Sequence, residues 1–107
     1  MFIHIVMLKL RSGFLNPGTI EQIENLYDEI KIQTPGIEEV HTYTNCFERE
    51  ENYDLLIKLY LNNMNVLPEY MSSSKHMQFI ALVEPYMISK AIIDYDNERN
   101  ESYEECS

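Results

Sequence analysis

Few residues in this chain could do chemistry, and their spacing limits what that chemistry is. His4 is the ionisable group in Phe2–Leu10, a run that is otherwise apolar up to Lys9. His41 and His76 follow at wide intervals. An imidazole has an unperturbed pKa of roughly 6.5, so each can exchange protons near neutral pH. Metal binding would need histidines, thiolates or carboxylates at paired spacing; the three histidines are scattered, so no metal is expected. Cys46 and Cys106 make no disulfide framework and are expected as reduced thiols. There is no Gly-x-Ser-x-Gly elbow, and three glycines leave no phosphate-cradling loop, so no cofactor is expected. Six methionines read as core filler.

The elements that must position these groups follow from periodicity. Phe2–Leu10 is apolar on both alternating sets, the pattern of a strand covered on both faces. Asn16-Pro17-Gly18 is a turn, after which Thr19 reads as a helix N-cap with Gln22 completing a capping box. Ile20, Ile23, Leu26, Tyr27 and Ile30 form one apolar helical stripe, and Pro35-Gly36 ends it. Ile37–Cys46 and Tyr53–Leu61 read as strands, the second interrupted by Lys58 on one face. Asn65 can cap a helix containing Val66, Leu67, Tyr70 and Met71. Ser72-Ser73-Ser74 weakens that helix, which resumes over Lys75–Met87, and Met87–Tyr95 is a last strand.

The order β-α-β-β-α-β predicts an α+β, ferredoxin-like fold: a four-stranded antiparallel sheet with helices on one face. Two helices cover one face only, yet the strands are apolar on both. The economical solution is a homodimer packed through its sheet faces, with Ile3, Ile5 and Met7 among the residues the helices leave uncovered.

The chain has 107 residues, 8 basic and 18 acidic, for a formal charge of −10. That argues against nucleic acid or an anionic membrane as partner. No apolar run approaches a membrane span and no leader is evident, so a cytoplasmic location is expected. One domain is expected over residues 1–96, followed by an acidic tail, 97–107, expected to be disordered.

Met1–Leu10, the Thr-Pro-Gly-Ile of Thr34–Ile37, Tyr53-Asp54-Leu55, and Glu69-Tyr70 with His76-Met77-Gln78-Phe79 together resemble the stress-responsive A/B barrel domain, the Dabb family. The likeness runs over nearly all but the tail. It implies a dimeric α+β barrel. Most members have no established activity. One characterised plant member, olivetolic acid cyclase, closes a linear polyketide by an aldol reaction. Its pocket is lined by a strand-one histidine, a helix tyrosine and a histidine six residues later, and His4, Tyr70 and His76 match those positions. The chain departs from the family at Ser73-Ser74, where His-Pro is common.

On one continuous helix, residues six apart stand about 120° from overlap, so Tyr70 and His76 need the Ser72–Ser74 break to meet. Given that break, His76 could act as a base on an acidic carbon, Tyr70 could hold a carbonyl or its oxyanion, and His4 could orient a polar group of the ligand. The alternatives remain open: a packed aromatic, a surface or capping histidine, and a hydrogen-bonded core histidine. Whether the protein is an enzyme stays undecided at this level. It reads as a dimer with a small apolar pocket that binds a carbonyl compound or does acid–base chemistry on it; the alternative is a non-catalytic ligand-binding or stress-associated dimer. The haem-degrading monooxygenases of the same barrel fold, which combine Asn, Trp and His, rank last, because the chain has no Trp and His4 does not match the Asn.

Overall fold

Asn16 and Pro17 set the first turn of the chain after its first strand. Asn16 Oδ1 accepts the Thr19 N–H at 2.9 Å, and Pro17 occupies the first helical turn, where a missing N–H costs nothing. The helix therefore begins three residues before the turn's sequence signals suggest, and Asn16, not Thr19, is its N-cap. The capping box expected from Thr19 and Gln22 gives way to this Asn-Pro start.

The computed structural model describes residues 1–98 of the chain. Its elements are β1 (Phe2–Leu10), α1 (Pro17–Gln33), β2 (Ile37–Thr44), β3 (Leu55–Leu61), α2 (Val66–Ser72), α3 (Ser74–Val83), a short 3-10 turn (Glu84–Tyr86) and β4 (Met87–Asp96). All pairings are antiparallel, in the order β2-β3-β1-β4, which is the ferredoxin-like arrangement with its second helix divided. β1 lies inside the sheet, between β3 and β4.

Strand alternation assigns the faces. His4, Val6, Leu8 and Leu10 of β1 join Leu55, Ile57, Leu59 and Leu61 of β3 under the helices, all buried. Ile23, Leu26, Tyr27 and Ile30 of α1, Tyr70 of α2, and Phe79 and Val83 of α3 close over them. Gly36 makes the α1–β2 turn at φ +101°, and a Cβ there would lie 2.6 Å from Val66 Cγ2, so only glycine fits.

Several boundaries differ from those read in the sequence. β2 ends at Thr44, two residues before Cys46, and β3 starts at Leu55, not Tyr53. Asp54 explains the second: its Oδ2 accepts the Leu10 N–H at 2.7 Å and its own N–H bonds Leu8 O, so it closes the sheet end as a side-chain cap. α3 ends at Val83, because Pro85 turns the chain through the 3-10 segment before β4. Asn65 precedes α2 but makes no side-chain cap bond.

The opposite sheet face carries Ile5, Met7, Leu56, Lys58, Tyr60, His41, Tyr43, Ile93 and Tyr95, by the same alternation. Ile3 departs from the expectation of an uncovered row. It is fully buried, with Tyr60 and Tyr95 as its partners across the two ladders, while Ile5 and Met7 are half-buried. Tyr43 and Ile93 are 59% and 57% exposed. Among the described residues Lys58 pairs with no carboxylate; its Nζ stands 5.0 Å from the Tyr60 ring centroid. Of the tail, Asn97 and Glu98 form a turn at the end of β4, with the Asn97 N–H donating to Met1 O. Residues 99–107, where most of the expected disorder falls, lie outside the described residues. No helix among the described residues is long and apolar enough to cross a membrane.

Candidate functional site

Ser73 is the hinge of the site. It has extended backbone, φ −67° and ψ 148°, ends α2 and caps α3, its Oγ accepting the His76 N–H at 3.2 Å. The helix axis is thus re-aimed between Tyr70 and His76, and the two rings come to 4.4 Å between centroids. Tyr70 also meets His4 edge-on at 5.7 Å. The sheet and the divided helix therefore bring His4, Tyr70 and His76 to one cavity of about 100 Å³. Val6, Leu8, Phe79 and Val83 supply its apolar walls, and Met71, Ile92 and Lys90 stand at its exposed side.

Each polar group is held in a definite state. His76 Nδ1–H donates to Met71 O at 3.0 Å. A carbonyl only accepts, so in the neutral ring Nε2 is the unprotonated nitrogen. Burial pushes the His76 pKa below its ordinary value, against the Met71 bond, which raises it; the nearby His4 lowers it further. His76 is accordingly a neutral base with its lone pair on Nε2.

Tyr70 is buried, and its hydroxyl lies 2.6 Å from that of Tyr27 on α1, equally buried. Burial raises both phenol pKa values well above the ordinary range, so both stay protonated. Tyr70 is consequently a donor or acceptor of hydrogen bonds, not a base. With Tyr27 donating, the Tyr70 hydrogen is free for a ligand oxygen.

His4 Nδ1–H donates to Asp94 Oδ1 at 2.5 Å. The bond crosses the β1–β4 ladder, in which His4 and Asp94 are direct partners. A carboxylate accepting at Nδ1 fixes the ring and leaves Nε2 as the second nitrogen. His4 is thus both satisfied and oriented. Tyr27 and Asp94 are the site residues that sequence reasoning missed. Tyr27 sits in the apolar helical stripe, where a buried phenol usually finds a hydrogen-bond partner. Asp94 falls within the strand read over Met87–Tyr95, but only the β1–β4 register sets it opposite His4.

The remaining histidine, His41, lies on the other sheet face, bonded to Glu39 Oε1 at 2.9 Å. Wider surface grooves of about 460 and 420 Å³ contain no buried ionisable group. Among the described residues no three His, Cys, Asp or Glu side chains converge as a metal site would require.

Comparison with known proteins agrees with this architecture. The family model of the stress responsive A/B barrel domain (Dabb) matches residues 2–97. A dimeric ferredoxin-like protein of unknown function from Thermobifida fusca is similar in structure, with a TM-score of 0.73 at 15% identity, covering 88% of this chain and 88% of that one. A Dabb family protein with a ferredoxin-like fold from Mesorhizobium loti gives a TM-score of 0.62 at 16% identity, covering 89% and 94%. The hydroxynitrile lyase of Passiflora edulis gives 0.69 at 17%, covering 88% and 90%. No curated protein sequence matches the chain.

Proposed function

Since the chain belongs to the stress-responsive A/B barrel (Dabb) family, we propose that it acts as a homodimer whose protomers each bind a small, largely apolar carbonyl compound and do acid–base chemistry on it. The observation that carries this reading is the state of His76. A ring locked by Met71 O, neutral through burial and lining the same cavity as a protonated phenol, is matched to proton abstraction beside a carbonyl.

In this mechanism the ligand carbonyl accepts a hydrogen bond from Tyr70 OH, whose own oxygen accepts from Tyr27. His76 Nε2 takes the proton from the adjacent carbon. The electron pair moves onto the carbonyl oxygen, and Tyr70 stabilises the oxyanion that develops. His4, fixed by Asp94, orients a polar group of the ligand. The buried walls keep water from competing for these bonds.

The homodimer is supported by the second sheet face, where Tyr43, Ile93 and Tyr95 stand exposed beside half-buried Ile5, Met7 and Leu56. Such a contiguous apolar face marks an interaction surface, and the Thermobifida fusca relative is itself dimeric. Residues 1–96 are proposed as the folded domain, and a cytoplasmic location remains part of the proposal.

A non-catalytic dimer, stress-associated or ligand-binding, is the second reading; the cavity's size favours its stress-associated form, since about 100 Å³ is below the usual 300–1,000 Å³ of ligand sites. The same size, with the absence of Trp from the sequence, disfavours the haem reading. The test is titration with cyclopentanone, read by NMR. Selective shifts of the Val83, Ile80 and Ile92 methyls, abolished in Tyr70→Phe with His76→Ala, are expected. Shifts confined to the opposite sheet face, or none, would overturn the reading.

A further inference from the structure

The two sides of the cavity differ in charge as well as in burial. Along β4 one face carries Asp94, Ile92 and Lys90, opposite His4, Val6 and Leu8 of β1. Asp94 is bound to His4 at the polar end. Lys90 is exposed and is the one lining residue with a permanent positive charge. Among the described residues no carboxylate lies within ion-pair distance of its ammonium. Four residues of strand separate the two charges, about 13 Å at roughly 3.3 Å per residue. Ile92, 50% exposed, bridges them with an apolar surface.

This arrangement, which rests on the pocket reading above, orients as well as selects. The geometry points to a substrate that is a straight-chain keto acid, its ketone held between Tyr70 and His76 and its carboxylate outside the cavity against Lys90. An anionic end is repelled from the polar end by Asp94 and attracted to the opposite rim by Lys90. The chain between lies over Ile92. The cavity itself suits this division. An apolar cavity of about 150 Å³ holds a benzene ring, so about 100 Å³ encloses the ketone and a few carbons while the remainder extends to the rim. Lys90 is thereby a specificity-determining residue and takes no part in proton transfer.

The test compares oxoheptanoate, bearing its ketone next to the methyl end, with its methyl ester, each titrated by NMR into the full chain and its variants. Wild-type protein is expected to bind the acid about three- to five-fold more tightly than the ester, the range of an exposed charge pair. The preference should shrink as salt is raised. Lys90→Met should abolish it, and Lys90→Arg should restore it. Equal binding of acid and ester by wild-type protein, or a preference that survives Lys90→Met, overturns the role of Lys90 while leaving the pocket standing. Failure of both ligands to perturb the cavity methyls overturns this inference and the pocket reading together.

Discussion

Removing one hydroxyl of the Tyr27–Tyr70 pair should cost more than removing both in sequence would suggest. The two oxygens are 2.6 Å apart and each side chain is 1% exposed, so neither hydroxyl has ready access to bulk water. Tyr27→Phe leaves the Tyr70 hydroxyl buried without its partner, at a cost of roughly 1–3 kcal/mol. Tyr70→Phe does the same to Tyr27. In the double variant no orphan remains, since two phenyl rings of unchanged outline face each other. Its destabilisation should therefore fall near that of one single variant, a coupling of about 1–3 kcal/mol. This exceeds the roughly 0.5 kcal/mol scatter expected of independent sites. Urea unfolding of the four proteins at one protein concentration measures the cycle, and fixed concentration matters because the proposed dimer would contribute to stability. For a domain of this size about 1 kcal/mol corresponds to roughly 4–8 °C in Tm. Additive losses would show that the hydroxyls do not depend on each other, and the donor role given to Tyr70 would fall with them.

Other outcomes follow from the same geometry. Gly36→Ala should destabilise by about 1–3 kcal/mol, because φ +101° disfavours a side chain and its Cβ would meet Val66 at 2.6 Å; thermal unfolding measures it, and a neutral result would refute the turn's strain. His76 has a folded pKa below its ordinary 6.5, so its contribution is present above about pH 6.5 and lost as pH falls through the lower folded value. His76→Gln should accordingly flatten the acid side of the stability–pH profile, and an unchanged profile would contradict burial as the cause. Ile93→Asp on the open sheet face should convert the protein to monomer in sedimentation at micromolar concentration while retaining its far-UV spectrum; a persistent dimer would place the interface elsewhere.

The fold was legible because its signals are periodic and local. β1 is apolar on both sets, α1 has a clean stripe, and the serine run marks the divided helix. The helix starts three residues earlier than Thr19 suggests because Asn16, read as part of a turn, caps it and places Pro17 where its missing N–H is harmless. β3 starts later than its sequence pattern suggests because Asp54 caps the sheet end from outside the strand, a long-range bond that leaves no local trace. His4, Tyr70 and His76 could be named from the chain, but their meeting depends on the extended backbone of Ser73. Asp94 could not be paired with His4 without the β1–β4 register, since the two are ninety residues apart. Ile3 shows the limit of alternation: it identifies the face, but not that Ile3, set between Tyr60 and Tyr95 in the ladders, is buried there.

In the proposed mechanism His76 Nε2 removes a proton beside a carbonyl held by Tyr70. Exchange of the cyclopentanone α-protons in deuterated buffer, followed by NMR, tests it without knowledge of the natural substrate. The wild-type protein should accelerate exchange above buffer, and His76→Ala should lower that acceleration by roughly 10²–10⁴-fold while the dimer stays intact. Exchange no faster than buffer with wild-type protein, or undiminished in His76→Ala, would contradict the account.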